Sequence, residues 1–209
     1  MRKLALFATA FGLFFLFASL ASAQQADAMV GFGTIMSSNS NTSACVTTFT
    51  SNCIGPEKGG LYTSLSGDVI FHNRIGFNIE GSWRTRQGLD LANGGQYYRP
   101  ILLDFNGDYQ PRLSKKIGAD LLGGIGIQST RFYAYNNSSS CVFFGSCYTS
   151  NNHFLVHVGG GLRYYVWGHM FFRPEVHLYH IVNNTDVFTN TNISRAGASI
   201  GYTIGGPDE

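Results

Sequence analysis

Alternation of apolar and polar residues with a period of two is the feature that most limits what this chain can fold into. In residues 75–86, Ile75 and Phe77 share one face while Asn78 and Glu80 share the other. A β-strand turns successive side chains to opposite faces, so this period predicts strands that differ in polarity between their two faces. The pattern predicts eight strands, at about 28–36, 60–71, 75–86, 97–109, 116–133, 153–166, 170–182 and 192–204.

The connections between these strands alternate between long and short. The long ones are 37–59, 87–96, 134–151 and 183–191, and the short ones are 72–74, 110–115 and 167–169. With an even number of antiparallel strands, every long connection lies at one end of the sheet, and every short one lies at the other end with both termini. Transmembrane barrels combine short turns and long loops in this way. The sequence therefore predicts an all-β fold, an eight-stranded antiparallel up-and-down transmembrane β-barrel.

Charge indicates which face of the strands points outward. Only 12% of the residues are charged, about half the ~25% of an average soluble domain. A soluble lipocalin-like barrel that binds an apolar ligand would need a more highly charged exterior, so this alternative is disfavoured. The polar faces carry six acids and six bases, which predicts a paired interior and an apolar wall that faces lipid. They are Asp68, Glu80, Asp104, Asp108, Asp120 and Glu175, with Arg84, Arg86, Lys116, Arg163, Arg173 and Arg195.

Side chains just fill the interior of an eight-stranded barrel, so no open pore is expected. Aromatic residues near the strand ends, such as Tyr97, Tyr109 and Tyr202, fit the girdles at membrane interfaces. The predicted interior polar network contains Asp68, Glu80, Arg84, Asp104, Asp120, His157, Arg163, Arg173, Glu175, His177 and Arg195.

The first 23 residues have the organisation of a cleaved secretory signal. Arg2 and Lys3 precede an apolar run, and Ala21-Ser22-Ala23 supplies the small residues of a cleavage site. Residues 1–23 are therefore predicted to be a signal peptide and residues 24–209 a single barrel domain; an uncleaved membrane anchor is the alternative. Without Arg2 and Lys3, the 14 basic residues fall to 12, equal to the 12 acidic ones. No basic surface for nucleic acid is expected.

The mature chain resembles the eight-stranded outer-membrane β-barrel family, the OmpA-like and OmpX-like transmembrane barrels of Gram-negative bacteria. Arg195, Gly197, Ile200 and Tyr202 in the last strand are similar to the C-terminal assembly signal of that family. The resemblance implies insertion by the barrel-assembly machinery into the lipid of the bacterial outer membrane. It also implies extracellular long loops and periplasmic termini, with a loop partner that the sequence does not identify.

The four cysteines fall as two close pairs, Cys45 with Cys53 and Cys141 with Cys147, each within a predicted long loop. An exported chain with an even number of cysteines is expected to form disulfides. Pairing within each loop is favoured because it closes a short loop, and a cross-link between the two loops is the alternative. A metal site is disfavoured because the 134–151 loop offers no other ligand of the right kind.

Two further patterns suggest chemistry but have simpler explanations. His153, His157 and His177, with Glu175, fall on the inward face of neighbouring strands and could bind a metal; an interior hydrogen-bond network is favoured. The glycine runs 123–126 and 159–161 lack the strand-to-helix context of a nucleotide loop. They are interpreted as strand glycines that permit bending. No cofactor or metal is expected.

An enzymatic alternative comes from resemblance to the lipid A deacylases, outer-membrane barrels that hydrolyse an acyl ester with a Ser/His/acid triad. His180 aligns distantly with the catalytic histidine of that family, but Val182 occupies the nucleophile position. Without a hydroxyl there is no acyl-enzyme chemistry. Ser194 and Ser199 are the nearby substitutes, neither with the expected spacing. The sequence therefore predicts a non-enzymatic membrane scaffold with surface-exposed interaction loops, active in envelope integrity or adhesion.

Overall fold

The computed structural model describes residues 25–37, 44–45, 53–57, 59–90, 96–133 and 148–205. The predicted signal peptide and the cysteines at 141 and 147 lie outside these residues. Two 3₁₀ turns, His72–Arg74 and Asn184–Asp186, interrupt an otherwise all-β fold in this part of the chain. Within the same ranges, no helix has the length and apolar character needed to span a bilayer.

Eight long strands form the body of the protein, as predicted from the alternation. The largest departure from the predicted bounds is at the start of β9, which begins at Tyr148, whereas the alternation predicted residue 153. The alternation did not extend to these first residues because most of them are polar and exposed. The long strands are β1 Gln25–Met36, β4 Leu61–Ile70, β5 Ile75–Arg84, β7 Gln96–Tyr109, β8 Ile117–Tyr133, β9 Tyr148–Trp167, β10 Met170–Ile181 and β11 Asn192–Gly205.

In the described parts of the long connections lie three short strands that were not predicted. They are β2 Ala44–Cys45, β3 Cys53–Ile54 and β6 Gly88–Asp90. Segments of two or three residues are too short to show a period of two, which explains why the pattern missed them. The first two pair with each other, and β6 extends the edge of β7.

The eight long strands close into a barrel. Each pairs antiparallel with its neighbour in the chain, and the first and last strands pair with each other, with Met29 opposite Gly201. Around the ring, β5 pairs directly with β7 and not with the short β6, and this pairing sets Glu80 opposite Asp104. Closure leaves the ring of long strands without a free edge at which another chain could add a strand.

Both chain ends of the barrel lie with the short connections. Gln25 pairs with Gly205 and with Ile70, which leads directly into the turn at 71–74. In that turn Asn73 has a φ of 66°, a left-handed conformation that asparagine tolerates better than most residues. We call this the short-connection end and the opposite one the long-connection end.

Apolar side chains cover the outside of the barrel. Phe77 is 68% exposed and Ile200 is 59% exposed, although both are large apolar residues on regular strands. The residues between them along each strand are buried, so polarity is inverted relative to a soluble domain. This arrangement also contradicts a soluble barrel with an apolar interior, because the apolar face points away from the lumen.

An apolar layer crosses the interior near the long-connection end. It consists of Ile35, Tyr62, Leu102, Leu155, Tyr179, Ile181 and Ile193. A second, aromatic cluster lies at the end itself, where Phe188 packs 5.3 Å from Tyr98 and 6.3 Å from Phe132 between ring centroids. Below these layers, toward the short-connection end, the lumen is filled by charged and hydrogen-bonding side chains.

Candidate functional site

The barrel interior is the most polar region of the described structure. Most of the buried charged side chains of the strands form two groups, which we call the lower cluster and the central cluster. The lower cluster, nearer the short-connection end, contains Asp27, Asp68, Asp108, Asp120, Arg163 and Arg173; the central cluster contains Glu80, Asp104, His157, Glu175, His177 and Arg195.

Arg163 is the hub of the lower cluster. Its Nε donates to Asp120 at 2.5 Å and its NH2 to Asp68 at 2.5 Å, while NH1 donates to Asp27. The four side chains come from four different strands, so the guanidinium ties opposite walls of the barrel together. Its Cζ also lies 4.5 Å from the ring centroid of Phe171, a cation–π contact.

Arg173 links the two clusters. Its NH1 donates to Asp120 in the lower cluster at 2.9 Å, and its Nε donates to Glu175 in the central cluster at 2.9 Å. The Ser199 hydroxyl lies 3.1 Å from the same Glu175 oxygen. Charge-assisted bonds of this kind are stronger than neutral ones, and their removal would leave a buried charge without a partner.

The central cluster has one guanidinium. Arg195 NH2 donates to Glu80 Oε1 and to Glu175 Oε1, the latter at 3.2 Å. Asp104 lies opposite Glu80 in the β5–β7 ladder and is buried with it. Three carboxylates therefore share this part of the lumen with Arg195 and with Arg173, which also pairs with the lower cluster.

A chain of hydrogen bonds runs into the central cluster from β5. Asn106 Nδ2 donates to Asn78 Oδ1 at 2.9 Å and to Asp104 Oδ1 at 2.5 Å. The Oδ1 of Asn106 lies 2.7 Å from His157 Nδ1, and His157 Nε2 lies 2.9 Å from His177 Nδ1. The two imidazole rings are stacked, with centroids 5.0 Å apart.

Glycines on the inward face make room for these polar groups. A Cβ on Gly159 would lie 2.8 Å from His177 Nδ1 and 2.9 Å from His157 Nε2, and one on Gly161 would lie 2.8 Å from Arg173 Cγ. All three distances are shorter than real Cβ contacts. The run 159–161 was interpreted as permitting strand bending; the structure shows in addition that two of its members face large buried side chains.

The structure places the predicted network residues in the lumen with one partial exception. Ten of the eleven are buried, and Arg84 is half-buried at the long-connection end, where its NH1 donates to the Tyr98 hydroxyl at 2.8 Å. Arg86 and Lys116, which the alternation also assigned to the polar face, lie exposed outside the strands.

One buried acid was not recognised from the sequence, because Asp27 lies one residue before the predicted start of the first strand. Asn78 and Asn106 were assigned to the polar face, but their hydrogen bonds within the lumen were not predicted. With these assignments the barrel strands bury seven carboxyl side chains and three Arg side chains, instead of the balanced set that the sequence suggested. The seven are Asp27, Asp68, Glu80, Asp104, Asp108, Asp120 and Glu175.

Glu57 closes the long-connection end from a loop. Its carboxylate accepts from Gln128 Nε2 at 2.6 Å and from the Tyr62 hydroxyl at 3.4 Å, and its backbone N–H donates to Asn190 Oδ1 at 2.8 Å. Burial is the largest influence on Glu57 and raises its pKa from 4.5 to about 7, although both side-chain hydrogen bonds and Arg84 act to lower it.

The predicted disulfides are partly outside the described residues. In the β2–β3 ladder, Cys45 lies directly opposite Cys53. Cross-strand neighbours have Cα atoms about 4.5 to 5.5 Å apart, within the range that a disulfide spans. The backbone register therefore supports pairing within the first loop, and the disulfide itself stays a prediction.

His180 points outward, unlike His157 and His177. Its Nδ1 lies 2.7 Å from Asn192 Oδ1, and the Ser194 hydroxyl donates to the Met36 carbonyl at 3.1 Å. Among the hydrogen bonds of the described residues, none joins Ser194 to His180. A nucleophile and its base must be in hydrogen-bond reach, which this pair does not show. Ser199 lies inside the barrel against Glu175 and Arg173.

The four residues that resemble the assembly signal all lie on β11. Arg195 points into the central cluster, while Ile200 and Tyr202 are 59% and 51% exposed on the outer wall. At Gly197 a Cβ would lie 2.9 Å from the Gly33 Cα, so only glycine fits the close approach of β1. The motif therefore has a structural role in closing the barrel, independent of any role in assembly.

Comparison with solved structures supports the fold. Neisserial surface protein A (NspA) aligns with a TM-score of 0.56 and 10% identity over 85% of this chain and 95% of that chain. OprG from Pseudomonas aeruginosa aligns with a TM-score of 0.53 and 14% identity over 88% of this chain and 98% of that chain. Ail, the attachment invasion locus protein of Yersinia pestis, in complex with the heparin analogue sucrose octasulfate, aligns with a TM-score of 0.53 and 10% identity over 86% of this chain and 98% of that chain. No protein-family profile and no curated protein matches the sequence.

Proposed function

We propose that this chain, which has the fold of the eight-stranded outer-membrane β-barrels, is an integral protein of the bacterial outer membrane. The observation that carries the proposal is the apolar outer wall. Its large apolar side chains, among them Phe77 and Leu121, are about half or more exposed, whereas the Asp side chains of the long strands are buried, as are Arg163, Arg173 and Arg195. Such a wall is stable only when lipid covers it, because water would face a continuous apolar surface.

The interior argues for a scaffold rather than a diffusion pore. Arg163, Arg173 and Arg195 are each about 1% exposed and reach across the lumen to carboxylates on other strands. At the long-connection end, Phe188 and Glu57 cover the lumen from two different loops. A cross-linked and covered interior offers no continuous water path of the kind that porins have.

In this proposal the long connections are extracellular and the termini periplasmic. The loop segments 37–52 and 134–147 are rich in Ser, Asn and Thr, which suits exposure to water and contact with polar partners. The Ail structure is that of an attachment and invasion protein bound to a heparin analogue. The same fold therefore supports adhesion, and we propose a surface-interaction role for these loops without enzymatic activity.

A topology experiment tests the proposal. A short epitope inserted after residue 139 should be detected by antibody on intact cells, whereas the same epitope fused after residue 209 should be detected only after permeabilisation. Membrane-inserted protein should give no stepwise conductance in planar bilayers. Detection of the C-terminal epitope on intact cells would contradict the orientation, and a stable ohmic conductance would contradict the closed interior.

The geometry around His180 bears on the hydrolase alternative. Asn192 rather than an acid lies at His180 Nδ1, and the Ser194 hydroxyl is directed to a backbone carbonyl on β1. We therefore retain the non-enzymatic proposal. Unchanged acyl composition of lipid A after overexpression would support it, and loss of an acyl chain that depends on His180 would contradict it.

A further inference from the structure

The central cluster brings metal-ligating atoms together in the lumen. One carboxylate oxygen each from Glu80 and Glu175 and one ring nitrogen of His177 lie within 4.8 Å of one another. All three residues are at most 5% exposed. We propose that the central cluster binds a divalent transition-metal cation, with Glu80, Glu175 and His177 as its protein ligands.

The hydrogen-bond directions around the two histidines carry this inference. Asn106 Nδ2 donates to both Asn78 Oδ1 and Asp104 Oδ1, so the Oδ1 of Asn106 faces His157 as an acceptor. His157 Nδ1 must therefore carry a proton. With both rings neutral, His157 Nε2 is then the acceptor and His177 Nδ1 the donor of the bond between them.

This chain of donors leaves His177 Nε2 as an unprotonated nitrogen. The atom has no hydrogen-bond partner among the described residues, and Glu175 Oε1 lies 3.4 Å away. A nitrogen lone pair and a carboxylate oxygen repel each other at this distance unless a positive ion lies between them. A positive ion between the two atoms would remove this repulsion, and a metal ion bound by nitrogen and oxygen fits the position.

The other atoms of the cluster point to the same conclusion. Glu80 Oε2 and Asp104 Oδ2 are buried without a hydrogen-bond partner in the described part of the chain. Three carboxylates, on Glu80, Asp104 and Glu175, share the guanidinium of Arg195 and that of Arg173, which also pairs with Asp120 in the lower cluster. Unpaired charge is costly in a buried site, and a cation would supply the positive charge that the two guanidiniums leave missing.

The ligand chemistry selects the class of metal. Carboxylate oxygen and imidazole nitrogen together suit Zn²⁺ and similar first-row cations rather than Mg²⁺ or Ca²⁺, which prefer oxygen alone. The relay from Asn106 through His157 to His177 is the kind of outer hydrogen bonding that fixes the tautomer of a ligating histidine. Gly159 provides the space in which that relay forms.

Zinc binding by the folded protein tests the proposal. Protein folded in detergent micelles, equilibrated with Zn²⁺ and desalted, should retain about one Zn²⁺ per chain by elemental analysis. Glu80→Gln should lower Zn²⁺ affinity by at least about tenfold. Asp108→Asn is the matched control, because Asp108 is equally buried but belongs to the lower cluster, and it should retain the metal.

A spectroscopic measurement on the unaltered protein keeps the test independent of how the variants fold. Co²⁺ is added in place of Zn²⁺. Coordination by the imidazole nitrogen of His177 should give visible absorption bands that differ from those of the hydrated ion. Retention of Zn²⁺ by the unaltered chain and the Asp108→Asn variant but not by Glu80→Gln would support the site. Absence of Zn²⁺ and of Co²⁺ bands in the unaltered protein would overturn it and assign the missing charge to a proton on His177.

Discussion

His157 Nε2 and His177 Nδ1 lie 2.9 Å apart on neighbouring strands of the barrel, and the pair exists because residue 159 is glycine. Gly159 is the direct cross-strand partner of His177, and any side chain there would occupy the space of both rings. A buried polar pair thus depends on the smallest residue in the chain. This relationship gives the first prediction.

Gly159→Val should destabilise the barrel by about 1 to 3 kcal/mol, because its side chain would overpack the two imidazole rings. The measurement is the urea midpoint for unfolding from lipid vesicles. Gly123→Val is the matched control, since a Cβ at Gly123 meets nothing within 4 Å. Equal midpoints for the two variants would contradict the packing described for the histidine pair.

The apolar wall predicts a large cost for charge at its middle. Leu103→Arg should cost about 2 to 4 kcal/mol of folding free energy in a bilayer, because the guanidinium would enter hydrocarbon. Ile79→Arg should behave similarly, since Ile79 is also exposed on the wall, at 43%. Leu113→Arg, in the connection between β7 and β8, should change stability little. If all three variants folded alike in vesicles, the wall would not face lipid.

The raised pKa of Glu57 predicts that docking of its loop over the long-connection end depends on pH. Its pKa is raised to about 7 in the folded protein, so the docked loop holds a proton that the undocked loop releases near 4.5. Docking is therefore strongest below about pH 4.5 and weakens as the pH rises through 7. Arg84 opposes this trend, and Tyr62 and Tyr98 are the other titratable groups that face the carboxylate.

Hydrogen exchange of the 53–57 segment measures this effect. In the unaltered protein, protection should be greater at about pH 5 than at about pH 8, after correction for the intrinsic exchange rate. Glu57→Gln, which keeps the hydrogen-bonding shape without a proton to lose, should remove the difference. Equal protection at both values in the unaltered protein would show that Glu57 does not control docking.

The β2–β3 register predicts a disulfide between Cys45 and Cys53, which lie opposite each other. Peptide mapping of the oxidised protein by mass spectrometry should find these two residues linked, and Cys141 linked to Cys147. A linked peptide that joins Cys45 to Cys141 would instead establish a cross-link between the two loops.

The sequence predicted the barrel strands because alternation is a local property that each segment carries by itself. Leu103 and Asp104, for example, were assigned to opposite faces from neighbouring residues alone, and the structure places them so. The start of β9 was missed because Tyr148 and the polar residues after it are all solvent-exposed or nearly so, which leaves no alternation to detect.

The contacts within the lumen could not be predicted in the same way. That Arg163 meets Asp27, Asp68 and Asp120 depends on strand register and closure, which relate residues far apart in the sequence. Glu57 reaches the lumen from a loop, where no periodic pattern exists. The role of Gly159 likewise follows from its partner His177, which lies on another strand.

The measurement that tests the central claim most directly is the partitioning and gel mobility of the expressed protein. The membrane barrel predicts that it sediments with the outer-membrane fraction, requires detergent for extraction and migrates differently before and after boiling. A protein that is released into detergent-free buffer and shows one mobility in both conditions would contradict a lipid-facing wall.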